Sequence, residues 1–379
     1  MNDITVELKL PINLGLNDGT ICPQSCIEVM QQHTQRTDLR HYTTAENEPL
    51  LDVICEKDGV NRNNIYLANG SGPILKQCIP WLVSQRIKSS PKLTAKYLLG
   101  KNTFLGKTGL IKDIFPVVSG RLTYFKVPLK GMKAGLTMNL LPLGPETNWK
   151  LRPEDVADAL KRSPSLAYIC NPNNPTGLLM LTRAEIVELL EAFPESIFWV
   201  DEAYVQYMPE GSHEPLSDLV PKYPNLYVSR TFSFAYGLAG ARIGYLLGPS
   251  DDISAFKSQV TDYRLGTLQE ALAIAALTDA NHIADLHKIT AADREKVGAV
   301  LESFGVEVVP SHTHYILGRF TDSKRTGEWL AKQLLEKGIK IKHFVPVIDE
   351  NYSEYFRITL GVGAENDYLC EQLTAILSV

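Results

Sequence analysis

A chain of 379 residues, 44% of them hydrophobic, is long enough for two ordinary domains or one large one and apolar enough to bury a sizeable core, which excludes disorder as its main state. Thirty-eight Lys and Arg stand against 43 Asp and Glu, for a net charge of −5, with neither sign gathered into runs; that leaves no electrostatic footprint for nucleic acid and favours a small-molecule partner. No apolar stretch reaches the length of a membrane span, and the opening residues lack the basic, apolar and small-residue order of a signal peptide, so a cytoplasmic chain without membrane contact is expected.

Taken in chain order, residues 1–45 are largely polar with few apolar periodicities, and are expected to be loop-like and to pack on a smaller domain or on a partner chain. Strand-like apolar runs follow at 64–68, 166–170, 197–201, 226–230 and 242–247, with helical patterns such as 182–193 between them. Right-handed crossovers make such an alternation an α/β fold, a mostly parallel sheet covered by helices, here assigned to a large domain over 46–280. From about 280 a helical pattern runs to 304, followed by strand-like 306–309 and 314–320, a helix near 327–337 and a closing helix after 365. This predicts a smaller α+β domain over 281–379. The six cysteines, Cys22, Cys26, Cys55, Cys78, Cys170 and Cys370, form no CxxC pair and have no His at metal-ligand spacing; they read as incidental thiols, with no metal site.

Open parallel sheets bind ligands at the carboxyl ends of their strands, so the residues after each apolar run carry the functional signal. After 64–68 stands Asn69-Gly70-Ser71-Gly72, then a helix expected to open at Pro73, whose free N–H groups suit a phosphate. After 166–170 stands NPNNPTG, in which Asn174 presents an amide. After 197–200 comes DEAY, which puts the carboxylate of Asp201 at the end of a buried strand, where it needs a cationic partner, and the phenol of Tyr204 three residues on. After 226–230 comes TFSFAYGLAGARIGY, with hydroxyls at Thr231 and Ser233 and a guanidinium at Arg242, a set suited to an anion. Any one of these is also what an ordinary turn would show.

Together and in this order the four segments resemble the fold-type I pyridoxal-phosphate enzymes, the class I and II aminotransferases, and within them the histidinol-phosphate aminotransferase branch. LGLND near Asn17, RHY at 40–42 and FRITLG at 356–361 extend the similarity over nearly the whole chain. The resemblance implies that pyridoxal or pyridoxamine 5'-phosphate is the cofactor and that Asp201 pairs with its ring nitrogen. It further implies that Asn174 and Tyr204 hydrogen-bond the ring oxygen, and that Ser71, Gly72, Thr231, Ser233 and Arg242 bind the phosphate. Arg357 then takes the carboxylate of an amino-acid or amine substrate. Tyr42 corresponds to a tyrosine that reaches the phosphate in the neighbouring subunit, which implies a homodimer.

Two departures stand out. The aromatic residue over the cofactor falls at Tyr124, with Phe104 as a rival; Tyr124 leaves an insertion over 89–112 whose lysines, Lys92, Lys96, Lys101, Lys107 and Lys112, read as solvated. More consequentially, the position of the lysine that forms the Schiff base is Phe234, and a benzyl group neither makes an imine nor shuttles a proton. The cofactor is then held noncovalently, with acid–base work left to Lys126, His314 or Tyr204. A noncatalytic ligand-binding or scaffolding homologue, and a lysine-independent lyase, decarboxylase or dehydratase, are the alternatives. A deliberate replacement of the lysine would leave the same pattern.

Overall fold

The computed structural model describes residues 8–33, 46–95, 115–124, 126–127, 136–259, 265–322, 324–344 and 352–378. The chain enters through a two-residue strand, β1 (Ile12–Asn13), and the helix Gln24–His33. That helix corrects the expectation of a loop-like start. It buries only Cys26, whose Sγ lies 3.3 Å from the Leu272 carbonyl of the helix Thr267–Thr278, so its apolar face is too narrow to show as a periodicity.

Seven strands form the main sheet: β2 (Ile65–Ala68), β3 (Val117–Gly120), β4 (Met138–Leu141), β5 (Leu166–Cys170), β6 (Ile197–Asp201), β7 (Leu226–Thr231) and β8 (Gly244–Leu247). Their order is β2-β8-β7-β6-β5-β3-β4, and β8 alone runs antiparallel to its neighbours. Every position of β5, β6 and β7 is buried, as expected of parallel strands covered on both faces. The helix Arg183–Ala192 between β5 and β6 opens with a reciprocal cap: Thr182 Oγ1 accepts from the Glu185 N–H, and the Glu185 carboxylate accepts from the Thr182 N–H at 2.7 Å.

Three of the boundaries that differ from the sequence expectation bear on the site. The helix after β2 is Ser71–Ser89 and opens at Ser71, two residues before Pro73; Pro73 lies in the first turn, where its missing N–H costs nothing. The strand expected over 242–247 starts only at Gly244, because Arg242 turns into the left-handed region with φ +56°. His314 precedes its strand rather than opening it.

The remaining sheet is antiparallel. Its strands β9 (Val306–Val308), β10 (Tyr315–Phe320), β12 (Lys342–His343) and β13 (Tyr355–Thr359) have the order β12-β13-β10-β9, and the short β11 (Ile339–Lys340) pairs in parallel with β1. Helices His282–Ser303, Gly327–Glu336 and Gly363–Leu377 accompany it, with Ile316, Leu330, Phe356 and Leu369 at its fully buried core. The fold is therefore α/β, a mostly parallel sheet covered by helices, with a separate antiparallel sheet. Among the described residues no helix is long and apolar enough to cross a membrane.

Candidate active site

Strand register assembles the centre. Cys170 of β5, Asp201 of β6 and Ser229 of β7 are paired neighbours at the carboxyl end of the main sheet. One pleat repeat below, on the same face, Tyr168, Trp199 and Tyr227 form a second row. Asp201 is 3% exposed. Its Oδ2 accepts from Tyr168 Oη at 2.9 Å and its Oδ1 from Ser229 Oγ at 2.9 Å, while Trp199 Nε1 donates to Ser229 Oγ at 3.0 Å. Burial outweighs these donors and the backbone N–H of Ala203, and pushes the carboxyl up to about 6.

The expected cation is not among Asp201's partners in the described residues; it belongs to the next residue. Glu202 Oε2 accepts from Arg230 Nη2 at 2.6 Å and Nε at 2.9 Å, and Arg230 also pairs with Asp58, which accepts from Tyr245 Oη. Burial raises Glu202, but Arg230 and the His213 ring overcome it and hold the carboxyl below its ordinary range. The two adjacent carboxylates of DEAY thus have opposite surroundings, one neutralised from within the protein and one not.

Beside Asp201, the ends of β2, β7 and β8 converge on the start of the helix Ser71–Ser89. Gly70, with φ +92°, turns the chain into the helix, and a Cβ there would lie 2.5 Å from Arg242 Nη2, so the guanidinium crosses directly in front of this turn. A Cβ on Gly244 would lie 2.7 Å from the Ser71 nitrogen. Gln269 ties the two loops together, its Nε2 reaching Asn69 Oδ1 at 3.1 Å and the Ala241 carbonyl at 2.7 Å. Thr231 Oγ1 and Ser233 Oγ stand 2.9 Å apart at the end of β7. A Cβ on Gly72 would meet nothing within 4 Å, which leaves open space at the helix start.

On the other side, Tyr204 Oη accepts from Asn174 Nδ2 at 3.0 Å and from Asn17 Nδ2 at 2.9 Å. Arg357 Nη1 donates to Asn174 Oδ1 and Nη2 to the Gly15 carbonyl, each at 2.6 Å, while its Nε is buried without a partner among the described residues. Burial lowers Arg357 and raises Tyr204, so the phenol stays protonated. Phe234 closes the space between: its ring is stacked on Tyr204 and lies 5.9 Å from that of His314. His314 is fully buried, with Nε2 3.0 Å from the Asn17 carbonyl and Nδ1 without a partner among the described residues. Burial drives it down to about 3.

Tyr124 is half-buried and is pushed up to about 12 by burial and then by the nearby Asp201 carboxylate; the exposed Lys126 stands 5.7 Å over its ring. Tyr42, Phe104 and four of the five insertion lysines lie outside the described residues, whereas Lys92 is exposed. The structure thus brings together Ser71, Gly72, Thr231, Ser233 and Arg242 on one side and Asp201, Asn174, Tyr204, Phe234, His314 and Arg357 on the other. Tyr168, Ser229 and Asn17 complete the centre. The contacts of Tyr168 and Ser229 depend on strand register, and no local pattern in the sequence announces them, whereas Asn17 lies in the LGLND segment already noted and reaches Tyr204 by chain return.

A family model described as aminotransferase class I and II matches residues 117–373. Over 370 residues the chain is 27% identical to a histidinol-phosphate aminotransferase 1 of Pseudomonas fluorescens strain Pf0-1, an alignment that spans 97% of this chain and 93% of that protein. Among solved structures, the histidinol-phosphate aminotransferase of Sinorhizobium meliloti in complex with pyridoxal-5'-phosphate matches with a TM-score of 0.78 at 24% identity, over 98% of this chain and 91% of that one. The L-threonine-O-3-phosphate decarboxylase of Porphyromonas gingivalis matches with a TM-score of 0.73 at 22% identity, over 97% and 100%. At these identities the two structures share the fold.

Proposed function

The chain belongs to the class I and II aminotransferases, and on that premise we propose that it holds pyridoxal or pyridoxamine 5'-phosphate without a covalent bond and acts on an amino acid or related amine. One observation carries this reading: among the described residues Asp201 is a buried carboxyl met only by hydroxyl and N–H donors, whereas the adjacent buried Glu202 is paired with Arg230. A protonated pyridine nitrogen is the partner Asp201 lacks. The other end of the cofactor fits as well, since Arg242, the hydroxyls of Ser71, Thr231 and Ser233, and the open helix start at Gly72 form a cradle for a phosphate.

When bound, the cofactor's ring supplies an electron sink for negative charge at the substrate α-carbon. The chain's own groups do the rest. Asp201 keeps the ring nitrogen protonated, and Tyr204 and Asn174 donate toward the ring oxygen. Tyr124 covers the ring, and Arg357, whose Nε has no partner among the described residues, takes the substrate carboxylate. Phe234 moves no proton. His314, its ring driven down to about 3 by burial, is only a weak base, and Lys126, which stands over Tyr124, is the other acid–base candidate at the centre. Tyr42 completes the phosphate site of a second copy, so the working unit is a homodimer in the cytoplasm. A large domain over 46–280 carries the site, and a smaller one over 281–379, joined by the segment 1–45, contributes Arg357 and His314.

A noncatalytic ligand-binding homologue is the second reading, favoured by the Phe234 ring packed on Tyr204 where catalysis calls for an amine. An absorbance titration with each cofactor form, followed by borohydride reduction and peptide mapping, tests the proposal. Saturable binding without a lysine adduct is expected. Failure of both forms to bind overturns it, and an adduct on Lys126 or an insertion lysine overturns the noncovalent part. Mixing the loaded protein with a panel of amino acids then separates the readings: conversion of one cofactor form into the other marks transamination, other products mark a lyase, and no turnover leaves the noncatalytic reading.

A further inference from the structure

The double row on the main sheet holds more than Asp201. Tyr168, Trp199 and Tyr227 lie one pleat repeat beneath Cys170, Asp201 and Ser229, all buried, with the Trp199 and Tyr227 rings stacked at 6.1 Å and 9°. Two of the three aromatic residues donate upward. Tyr168 Oη reaches Asp201 Oδ2 directly, and Trp199 Nε1 reaches Ser229 Oγ, which turns its own proton to Asp201 Oδ1. A serine hydroxyl that accepts from an indole N–H has its hydrogen free for the carboxylate, so the chain of donors runs in one direction.

We propose that Tyr168 is a positioning residue: together with the Trp199–Ser229 relay it holds the Asp201 carboxylate ionised and oriented toward the cofactor's ring nitrogen. The inference rests on the reading of Asp201 given above. It accounts for how a carboxyl can be buried here without a cation among the described residues, because hydrogen bonds to the charged form replace part of the lost hydration. The other groups facing Asp201 do not do this. Tyr124 from the segment after β3, Cys170 of β5 and Tyr204 after β6 are all raised by burial and remain neutral, and Glu202, the residue just past β6, is engaged by Arg230.

The test uses Y168F and S229A, each of which removes one hydroxyl, with D201N as the reference. Affinity for pyridoxal phosphate and for pyridoxamine phosphate is measured as a function of pH. In the wild type it falls as pH drops through the Asp201 transition; in either variant that acid limb is expected to move up by about one pH unit, and further in the double variant. Thermal unfolding shows whether the variants fold. A folded Y168F with an unmoved acid limb overturns the proposal. In parallel, the titration of Asp201 in the free protein is followed by NMR with carboxyl-labelled aspartate, its signal assigned by loss in D201N. An upward shift in Y168F supports the network even if neither cofactor form binds, an outcome that would sink the cofactor reading alone, and no shift overturns the network.

Discussion

The ring of Phe234 is stacked on that of Tyr204, with centroids 4.6 Å apart and planes 14° from parallel. An aromatic pair of this kind contributes about 1 kcal/mol beyond the area it buries. Phe234→Lys is therefore expected to lower stability by at least that amount in denaturant unfolding, since the buried area of the ring is lost as well. It also puts an amine beside Tyr204, so borohydride treatment in the presence of pyridoxal phosphate should yield an adduct on the peptide that carries residue 234, absent from the wild type and from Phe234→Ala. A folded Phe234→Lys protein that binds the cofactor but gives no adduct would show that position 234 does not face its aldehyde carbon.

His314 links stability to pH. Burial pushes its ring down to about 3 against the opposing bond to the Asn17 carbonyl, with the charge of Arg357 adding to the fall. The folded state keeps the ring neutral, whereas the unfolded chain takes up a proton near 6.5. The stability tied to the neutral ring is complete above that value and is lost as pH falls toward about 3. Between pH 7 and pH 5 the wild type should lose about 2 kcal/mol more than His314→Phe. Urea unfolding at both pH values checks this, and parallel losses would refute it.

Two glycines at the centre should separate folding from binding. A Cβ on Gly19 would run into the Phe234 carbonyl oxygen and lie 2.8 Å from the Gly237 Cα, both backbone atoms that cannot swing away. Gly19→Ala should cost about 2 kcal/mol of stability by forcing the amino-terminal segment off the 234–237 loop. A Cβ on Gly72 meets nothing, and alanine favours a helix, so Gly72→Ala should unfold within about 0.5 kcal/mol of the wild type while weakening cofactor binding through its methyl at the open helix start. Calorimetry and the absorbance titration read the two effects. Unimpaired binding by Gly72→Ala would move the phosphate away from this helix.

Much of the centre was legible because each strand end carries its own local signal: an apolar run, then a polar or glycine residue where the chain turns. Asp201, Asn174, Ser71 and Ser233 could be picked out that way. Arg230 shows the limit. It ends an expected strand and carries no local signal of a partner, yet it is 4% exposed and holds Glu202 and Asp58, so among the described residues it is not a cation for Asp201. The amino-terminal segment shows another: LGLND marks Asn17 by resemblance, but only the return of the chain against β13 puts its amide on Tyr204 and its backbone nitrogen 3.2 Å from Thr359 Oγ1.

The sequence by itself determined the alternation of strands and helices, the chemistry at each strand end and the absence of an amine at position 234, since all of these are written in neighbouring residues. The tertiary structure alone decided who partners whom. Tyr168 and Asp201 are 33 residues apart and Asp201 and Ser229 are 28 apart, and they meet because parallel strands pair in one register, with side chains of paired residues on the same face. A shift of one residue would turn Tyr168 to the other side of the sheet, so the surroundings of the carboxylate are a property of the packed sheet rather than of any motif within it.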